Sequence, residues 1–152
     1  MRSATATGFA CVATILLAIG SVSPVQAQLG NGTWVRQSDN AAGGGMTMTV
    51  ESCCHGGRRL IYHAGKVVLT VESPMDGTDV PVLVAGKPSG ETMGIKRVDD
   101  RHLFTVLKMN GEKFGTSKST LSVDGRTLVV ENQITSAVGG TPGTVTERWV
   151  RK

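Results

Sequence analysis

Short segments with alternating apolar and polar residues follow one another along most of this chain of 152 residues. A period of two residues is that of a β-strand with one buried face, so each segment predicts a strand. Turn-forming pairs such as Asn110-Gly111 and Asp124-Gly125 separate successive segments, as in β-hairpins. The predicted strands are Thr33–Arg36, Met46–Glu51, Arg59–His63, Lys66–Glu72, Val80–Val84, Thr92–Val98, Leu103–Met109, Lys113–Val123, Thr127–Thr135 and Thr144–Arg151.

The number and spacing of these segments indicate an all-β protein. About ten short strands at intervals of roughly 8–12 residues are typical of a sandwich or a barrel. Up-and-down closure leaves no exposed strand edge, which favours a single antiparallel barrel of about eight to ten strands. Pro81 lies within a predicted strand and indicates an edge or a bulge there, because proline has no amide hydrogen to donate.

Alternation also predicts which side chains face the interior. Residues two positions apart on a strand share a face, so apolar residues at that interval are expected to point inward. The predicted inward sets are Met46, Met48 and Val50; Val67, Leu69 and Val71; Leu103, Thr105, Leu107 and Met109; and Leu128, Val130, Asn132 and Ile134. We interpret the methionines as adaptable core residues rather than as metal ligands.

The first 27 residues have the pattern of a secretory signal peptide. Arg2 precedes the apolar run Phe9–Ile19, which is too short to span a bilayer unaided. Pro24 ends the run, and Val25-Gln26-Ala27 has small residues at both cleavage positions. We therefore expect cleavage after Ala27 and a periplasmic or secreted domain of residues 28–152 with no membrane anchor. The alternative is a single anchor that is never cleaved.

The charge of this mature domain argues against a nucleic-acid partner. Without Arg2, 15 basic residues stand against 12 acidic residues, which gives a net charge of +3. These charges are spread along the sequence, and few aromatic residues are present for base stacking. No glycine-rich run follows a strand and opens a helix, so a phosphate loop is not predicted and we expect no cofactor.

Several short motifs follow the order found in lipocalin-like proteins. Gly32-Thr33-Trp34 resembles the Gly-x-Trp opening of lipocalins and fatty-acid-binding proteins, and Thr146–Lys152 resembles the closing strand of the same calycin group. Most of the mature chain is similar to small exported bacterial lipocalin-like proteins of uncharacterised function. The motifs shared with them are Met46-Thr47-Met48-Thr49, Pro81-Val82 with Gly86-Lys87-Pro88, Ile95-Lys96-Arg97-Val98-Asp99 and Ser122-Val123-Asp124-Gly125-Arg126-Thr127-Leu128. The resemblance implies a lipocalin-like barrel that can enclose a small molecule.

The sequence departs from the fatty-acid-binding proteins in two places. Those proteins insert two helices between their first strands, and the segment Gln37–Gly45 is too short for both. Their closing strand carries an Arg-x-Tyr clamp for a carboxylate. Here Arg148 matches the arginine, whereas Val150 stands at the tyrosine position. The resemblance therefore supplies half of a fatty-acid clamp.

The candidate ligand-binding residues combine the resemblance with the alternation; they are Trp34, Arg97, Leu107, Met109 and Arg148. Trp34 is expected to plug the closed end of a small barrel, with Arg148, or else Arg151, stacked on it by a cation–π contact. An arginine without a partner on the surface is the alternative. Arg97 is in phase with inward residues and would meet an anionic ligand in the lumen. A register shift at Gly94 would turn it to solvent, and we favour solvent.

Cys53, Cys54, His55 and His63 form the one cluster of soft metal ligands in the mature sequence. Thiolates and imidazoles suit copper or zinc. Neighbouring cysteines on a strand point to opposite faces, so the spacing is not a zinc motif, and we favour a turn with incidental or redox-sensitive thiols. In an exported chain the adjacent cysteines can close only a vicinal ring or pair with other chains.

We expect an exported, non-enzymatic protein that holds a small apolar or amphipathic molecule in its barrel. The first alternative is a protein-interaction barrel of the cell envelope, a protease inhibitor or assembly factor, that uses a flexible arm at Gln28–Gly32. The second alternative is a metal or redox protein that uses Cys53, Cys54 and His55. No nucleophile accompanies His102 beside its turn, so the sequence offers no catalytic site.

Overall fold

The computed structural model describes residues 28–37 and 45–152, which form ten antiparallel strands in a ring. Each strand pairs with its neighbours in the chain, and the first strand also pairs with the last, which closes the barrel. The strands are β1 (Gly32–Gln37), β2 (Thr47–Cys53), β3 (Gly57–Ala64), β4 (Val67–Ser73), β5 (Asp76–Val84), β6 (Lys87–Arg97), β7 (His102–Met109), β8 (Glu112–Leu121), β9 (Thr127–Ile134) and β10 (Gly143–Arg151). Short 3₁₀ turns lie at Cys54–Gly56 and Ala137–Gly139.

This architecture confirms the prediction of an all-β, up-and-down antiparallel barrel, and it is compatible with a lipocalin-like fold. The largest difference lies in β5 and β6, which both begin earlier than predicted. The residues that join them, Ala85 and Gly86, both have positive φ angles, +49° and +79°. A two-residue turn of this kind matches the twist of the flanking strands, so the ladder runs to the turn. The predicted signal peptide, residues 1–27, lies outside the described residues.

The irregularity predicted at Pro81 is a bulge rather than an edge. The register between β5 and β6 shifts between Pro81 and Leu83. A bulge suits this position, because proline has no amide hydrogen to donate to the ladder. A second shift lies between Asp76 and Asp79. Gly94 pairs in continuous register with β7, so no shift occurs there and Arg97 lies on the same face of β6 as Ile95.

The interior of the barrel holds the side chains that alternation assigns to it. Val50 and Val71 are almost completely buried, and Leu128 is 4% exposed. Val67 is an exception at 47% exposure, because it stands at the first position of β4, on the rim.

Trp34 fills the closed end of the barrel, which is the end where β1 begins and β10 ends. Its side chain has no exposed surface, and it lies across from Met48 on β2 and Arg151 on β10. Leu29, from the segment before β1, packs into the same core and is 7% exposed. The plug predicted from the Gly-x-Trp motif is therefore present, and Leu29 adds to it.

The segment before β1 is packed against the barrel, which corrects the expectation of a flexible arm at Gln28–Gly32. Arg58 Nε donates a hydrogen bond of 2.9 Å to the carbonyl oxygen of Leu29, and Arg151 donates to that of Asn31. Ser52 Oγ donates to the side-chain oxygen of Asn31 over 3.0 Å. Burial of Leu29 together with these bonds fixes the segment.

Candidate ligand-binding cavity

A cavity of about 420 Å³ occupies the barrel from the level of Leu29 to the opposite, open end. Sites that bind small molecules have volumes of about 300–1,000 Å³ and are lined mostly by apolar side chains. The volume here is at the lower end of that range, which suits a ligand of modest size.

Most of the cavity wall is apolar and adaptable. Four methionines, Met46, Met48, Met93 and Met109, line it from β2, β6, β7 and the residue before β2. Leu107 lies beside them and is 7% exposed. Methionine side chains are unbranched and polarisable, so they adjust to ligands of different shape. This wall can bind an apolar molecule but does not orient it.

One side of the wall carries a connected polar group, the Glu147 cluster, which consists of Arg36, Tyr62, Glu147 and Trp149. Arg36 Nη1 lies 3.1 Å from Glu147 Oε1, and Trp149 Nε1 donates to Glu147 Oε2 over 3.2 Å. The rings of Tyr62 and Trp149 meet edge to face, with centroids 6.0 Å apart. Burial raises the pKa of the Tyr62 hydroxyl, and the negative charges of Glu147 and Glu91 raise it further. Tyr62 therefore keeps its proton and remains a hydrogen-bond donor.

Glu91 on β6 is a second carboxylate of the cavity wall, and it is half-buried. Desolvation raises its pKa above the usual value for glutamate. Within the described residues, no hydrogen bond or ion pair reaches its carboxylate. Glu91 therefore differs from Glu147, whose charge Arg36 balances.

Hydroxyl groups form another polar area deeper in the cavity, on β7 to β9. Ser117 donates to the side-chain oxygen of Asn132, which satisfies this pair. Thr105 and Ser119 are 7% and 8% exposed and also line the cavity. These hydroxyls add polar atoms to an otherwise apolar wall.

The open end is partly covered by the loop between β9 and β10. Gly139 of this loop packs on the ring of Phe114, so closely that an added Cβ would lie 1.9 Å from Phe114 Cδ2. Ser136 stabilises the 3₁₀ turn of the loop, because its side chain accepts from the amide of Val138. Val138 and Gly139 line the cavity from this position.

The structure brings together two of the five candidate ligand-binding residues. Leu107 and Met109 line the cavity as predicted. Trp34 lies in the closed-end core and Arg97 borders a small cleft near Asp99, outside the main cavity. Arg148 is exposed and lies between the inward residues Glu147 and Trp149, so it points away from the lumen. Arg151 lies across from Trp34 in the ladder, and its guanidinium donates to the carbonyl of Asn31.

Sequence reasoning missed the polar residues Glu91, Glu147, Tyr62 and Arg36. Alternation along the strands could have identified the two glutamates. Glu91 lies two residues before Met93, and Glu147 lies two residues before Trp149, so each glutamate shares the inward face of its neighbour. Arg148, the residue that matches the Arg-x-Tyr pattern, lies one position out of phase with the inward residues of β10.

The predicted metal ligands do not form a site in the described structure. Cys53 and Cys54 form a vicinal disulfide bond, one of the two arrangements expected for adjacent cysteines. His55 and His63 are exposed, and His63 pairs with Thr47 in the ladder, away from the disulfide turn. No group of three or more His, Cys, Asp or Glu residues placed to hold a metal occurs in the described ranges, 28–37 and 45–152.

No protein-family profile matches this chain, and no curated protein matches it significantly. Across residues 28–37 and 45–152, none of the helical segments has the length and apolar character needed to cross a membrane. The functional conclusion therefore rests on the cavity and its residues.

Proposed function

We propose that this protein is an exported, non-enzymatic binding protein of lipocalin-like type that holds a small apolar or amphipathic molecule in its barrel. The observation that carries the proposal is the cavity of about 420 Å³ with its methionine- and leucine-rich wall. A barrel interior can be filled by its own side chains or can enclose a ligand, and this one keeps open volume.

The arrangement of polar groups supports an amphipathic ligand. Apolar side chains surround most of the volume, and carboxylate, phenol and hydroxyl groups converge from β3, β6, β7, β8 and β10. A few placed polar groups in an apolar pocket fix the orientation of a ligand and select it.

The disulfide between Cys53 and Cys54 supports export. Disulfide bonds form and persist in the periplasm and outside the cell, and they are rare in the reducing cytosol. This agrees with the signal-peptide pattern of residues 1–27.

Calorimetric titration of decanol into the purified mature protein tests the proposal. We expect saturable binding of one molecule per barrel, with a negative heat-capacity change, because apolar surface is buried. The variant Leu107→Trp places an indole ring inside the cavity and is expected to weaken binding. Val106→Trp places the same side chain on the opposite face of β7 and is expected to bind as the wild type does.

Heat of dilution alone for the wild type would contradict the proposal. Equal binding by Leu107→Trp and Val106→Trp would contradict the placement of the ligand in the cavity.

A further inference from the structure

The cavity carries an unbalanced negative charge. Among the described residues of its wall and the partner of Glu147, the ionised groups at neutral pH are Glu91, Glu147 and Arg36. Arg36 and Glu147 neutralise each other at 3.1 Å. The negative charge that remains is that of Glu91.

Glu91 points into the cavity because of its place on β6. It has the same phase as Met93 and Ile95, which also line the cavity, and it lies across from Met109 on β7. A carboxylate in an apolar wall loses hydration, and this cost is offset only when a partner donates hydrogen bonds to it.

The hydroxyls of Thr105 and Ser119 are further polar groups of the cavity wall. Both residues are more than nine-tenths buried, and both line the cavity. Thr105 lies four residues deeper along β7 than Met109, the partner of Glu91.

We propose that the ligand is an apolar molecule with an amine that is protonated at neutral pH, and that Glu91 binds the ammonium group. This inference rests on the proposed function, because it names the ligand class of the same cavity. An ammonium donates charge-assisted hydrogen bonds to a carboxylate, which are stronger than neutral ones. The chain of the ligand lies along the methionine wall, with its amine toward the open end.

An anionic ligand does not fit this arrangement. A fatty-acid carboxylate near Glu91 would place two like charges in a poorly hydrated site, which disfavours both. Arg36, the cation of the Glu147 cluster, is already paired. The fatty-acid clamp of the related barrels thus has no counterpart inside this cavity.

Titration of decylamine, decanol and decanoate into one preparation at pH 7 tests the inference. The three probes share a chain length and differ in charge. We expect decylamine to bind about tenfold more tightly than decanol, the effect of one charge-assisted hydrogen bond, and decanoate to bind most weakly. Glu91→Gln should remove the preference for decylamine and leave decanol binding unchanged.

Glu131→Gln is the matched control, since Glu131 is exposed on the outward face of β9. It should keep the preference for decylamine. Binding of decanol without a preference for decylamine, or a preference that survives Glu91→Gln, would overturn this inference and leave the proposed function standing. Absence of saturable binding by all three probes would overturn both.

Discussion

Glu91 and Glu147 line the same cavity, but among the described residues only Glu147 has a cationic partner, Arg36, at 3.1 Å. Desolvation accordingly raises the pKa of Glu91. The barrel therefore places one balanced and one unbalanced carboxylate around a single volume. The unbalanced carboxylate stabilises a bound cation and destabilises the empty barrel.

The first prediction concerns the pH dependence of stability. A raised pKa in the folded state means that the folded barrel binds the Glu91 proton more tightly than the unfolded chain does. Protonated Glu91 at low pH therefore costs the folded barrel no stability. Ionisation of the carboxyl group, as pH rises through its folded-state pKa, destabilises the folded barrel. Glu91→Gln should therefore unfold at a higher temperature than wild type at pH 7, and the difference should vanish toward about pH 4.

Thermal unfolding at both pH values measures this difference. The other titratable groups that face Glu91 in the cavity, Tyr62 and Glu147, are the same in both proteins. Glu131→Gln should show no comparable gain. A Glu91→Gln variant less stable than wild type at pH 7 would mean that the carboxylate has a stabilising partner.

The second prediction concerns the pair of Arg36 and Glu147. Arg36→Met leaves the half-buried Glu147 with Trp149 as its donor, and it should cost about 1–2 kcal/mol of unfolding free energy. It should also tighten decylamine binding, since the cavity becomes more negative. Arg148→Met, on the exposed face of the same barrel region, should stay within about 0.5 kcal/mol of wild type. Equal effects of the two substitutions in urea denaturation would contradict the pairing.

The third prediction separates an open cavity from a filled interior. Overpacking a well-packed core costs about 1–3 kcal/mol. Because Leu107 borders open volume, Leu107→Trp should keep its unfolding free energy within about 1 kcal/mol of wild type while ligand binding is weakened. A large loss of stability would show that the interior lacks room for the indole ring.

The fourth prediction concerns the closed end. Leu29 is 7% exposed and packs with Trp34 in the same core, so Leu29→Ala should cost about 2–3 kcal/mol of unfolding free energy. Val98 is 62% exposed, and Val98→Ala should cost less than about 0.5 kcal/mol. Similar midpoints for the two variants in urea would indicate that the segment before β1 is free after all.

The fifth prediction concerns the loop over the open end. A methyl group at position 139 would overlap the Phe114 ring, so Gly139→Ala should lift the loop from it. Amide hydrogen exchange of Gly140, whose amide donates to the Ala137 carbonyl over 3.2 Å, should then accelerate. The amide of Thr135, bound to the Phe114 carbonyl over 2.8 Å, should stay protected as the internal control. Unchanged exchange at Gly140 would contradict this packing.

The fold follows closely from the sequence because its determinants are local. Alternation and turn residues predict all ten strands, and Pro81 predicts the bulge in β5. The start of β5 was missed because Asp76 and Gly77 are turn formers that here extend a strand at a register shift. In that stretch the pairing with β6 outweighs the local preference of the residues.

The residues of the cavity are harder to predict from the sequence, because the site depends on contacts between strands that are distant in the chain. Leu107 and Met109 were predicted from one strand alone. The pairing of Arg36 with Glu147 joins residues 111 positions apart, and alternation gives their phase but not their contact. Whether an inward glutamate finds a partner is a property of the closed barrel, so only the structure shows that Glu91 has none among the described residues.

The measurement that tests the central claim most directly is methyl NMR of the methionine residues during titration with decylamine. Met46, Met48, Met93 and Met109 line the cavity, whereas Met75 is 6% exposed in the core and outside the cavity wall. We predict that the four cavity methyl signals shift together and saturate at one ligand per barrel, while that of Met75 does not change. Saturation without shifts of the four cavity methyl groups, or no saturation at all, would contradict the account of this barrel as a carrier.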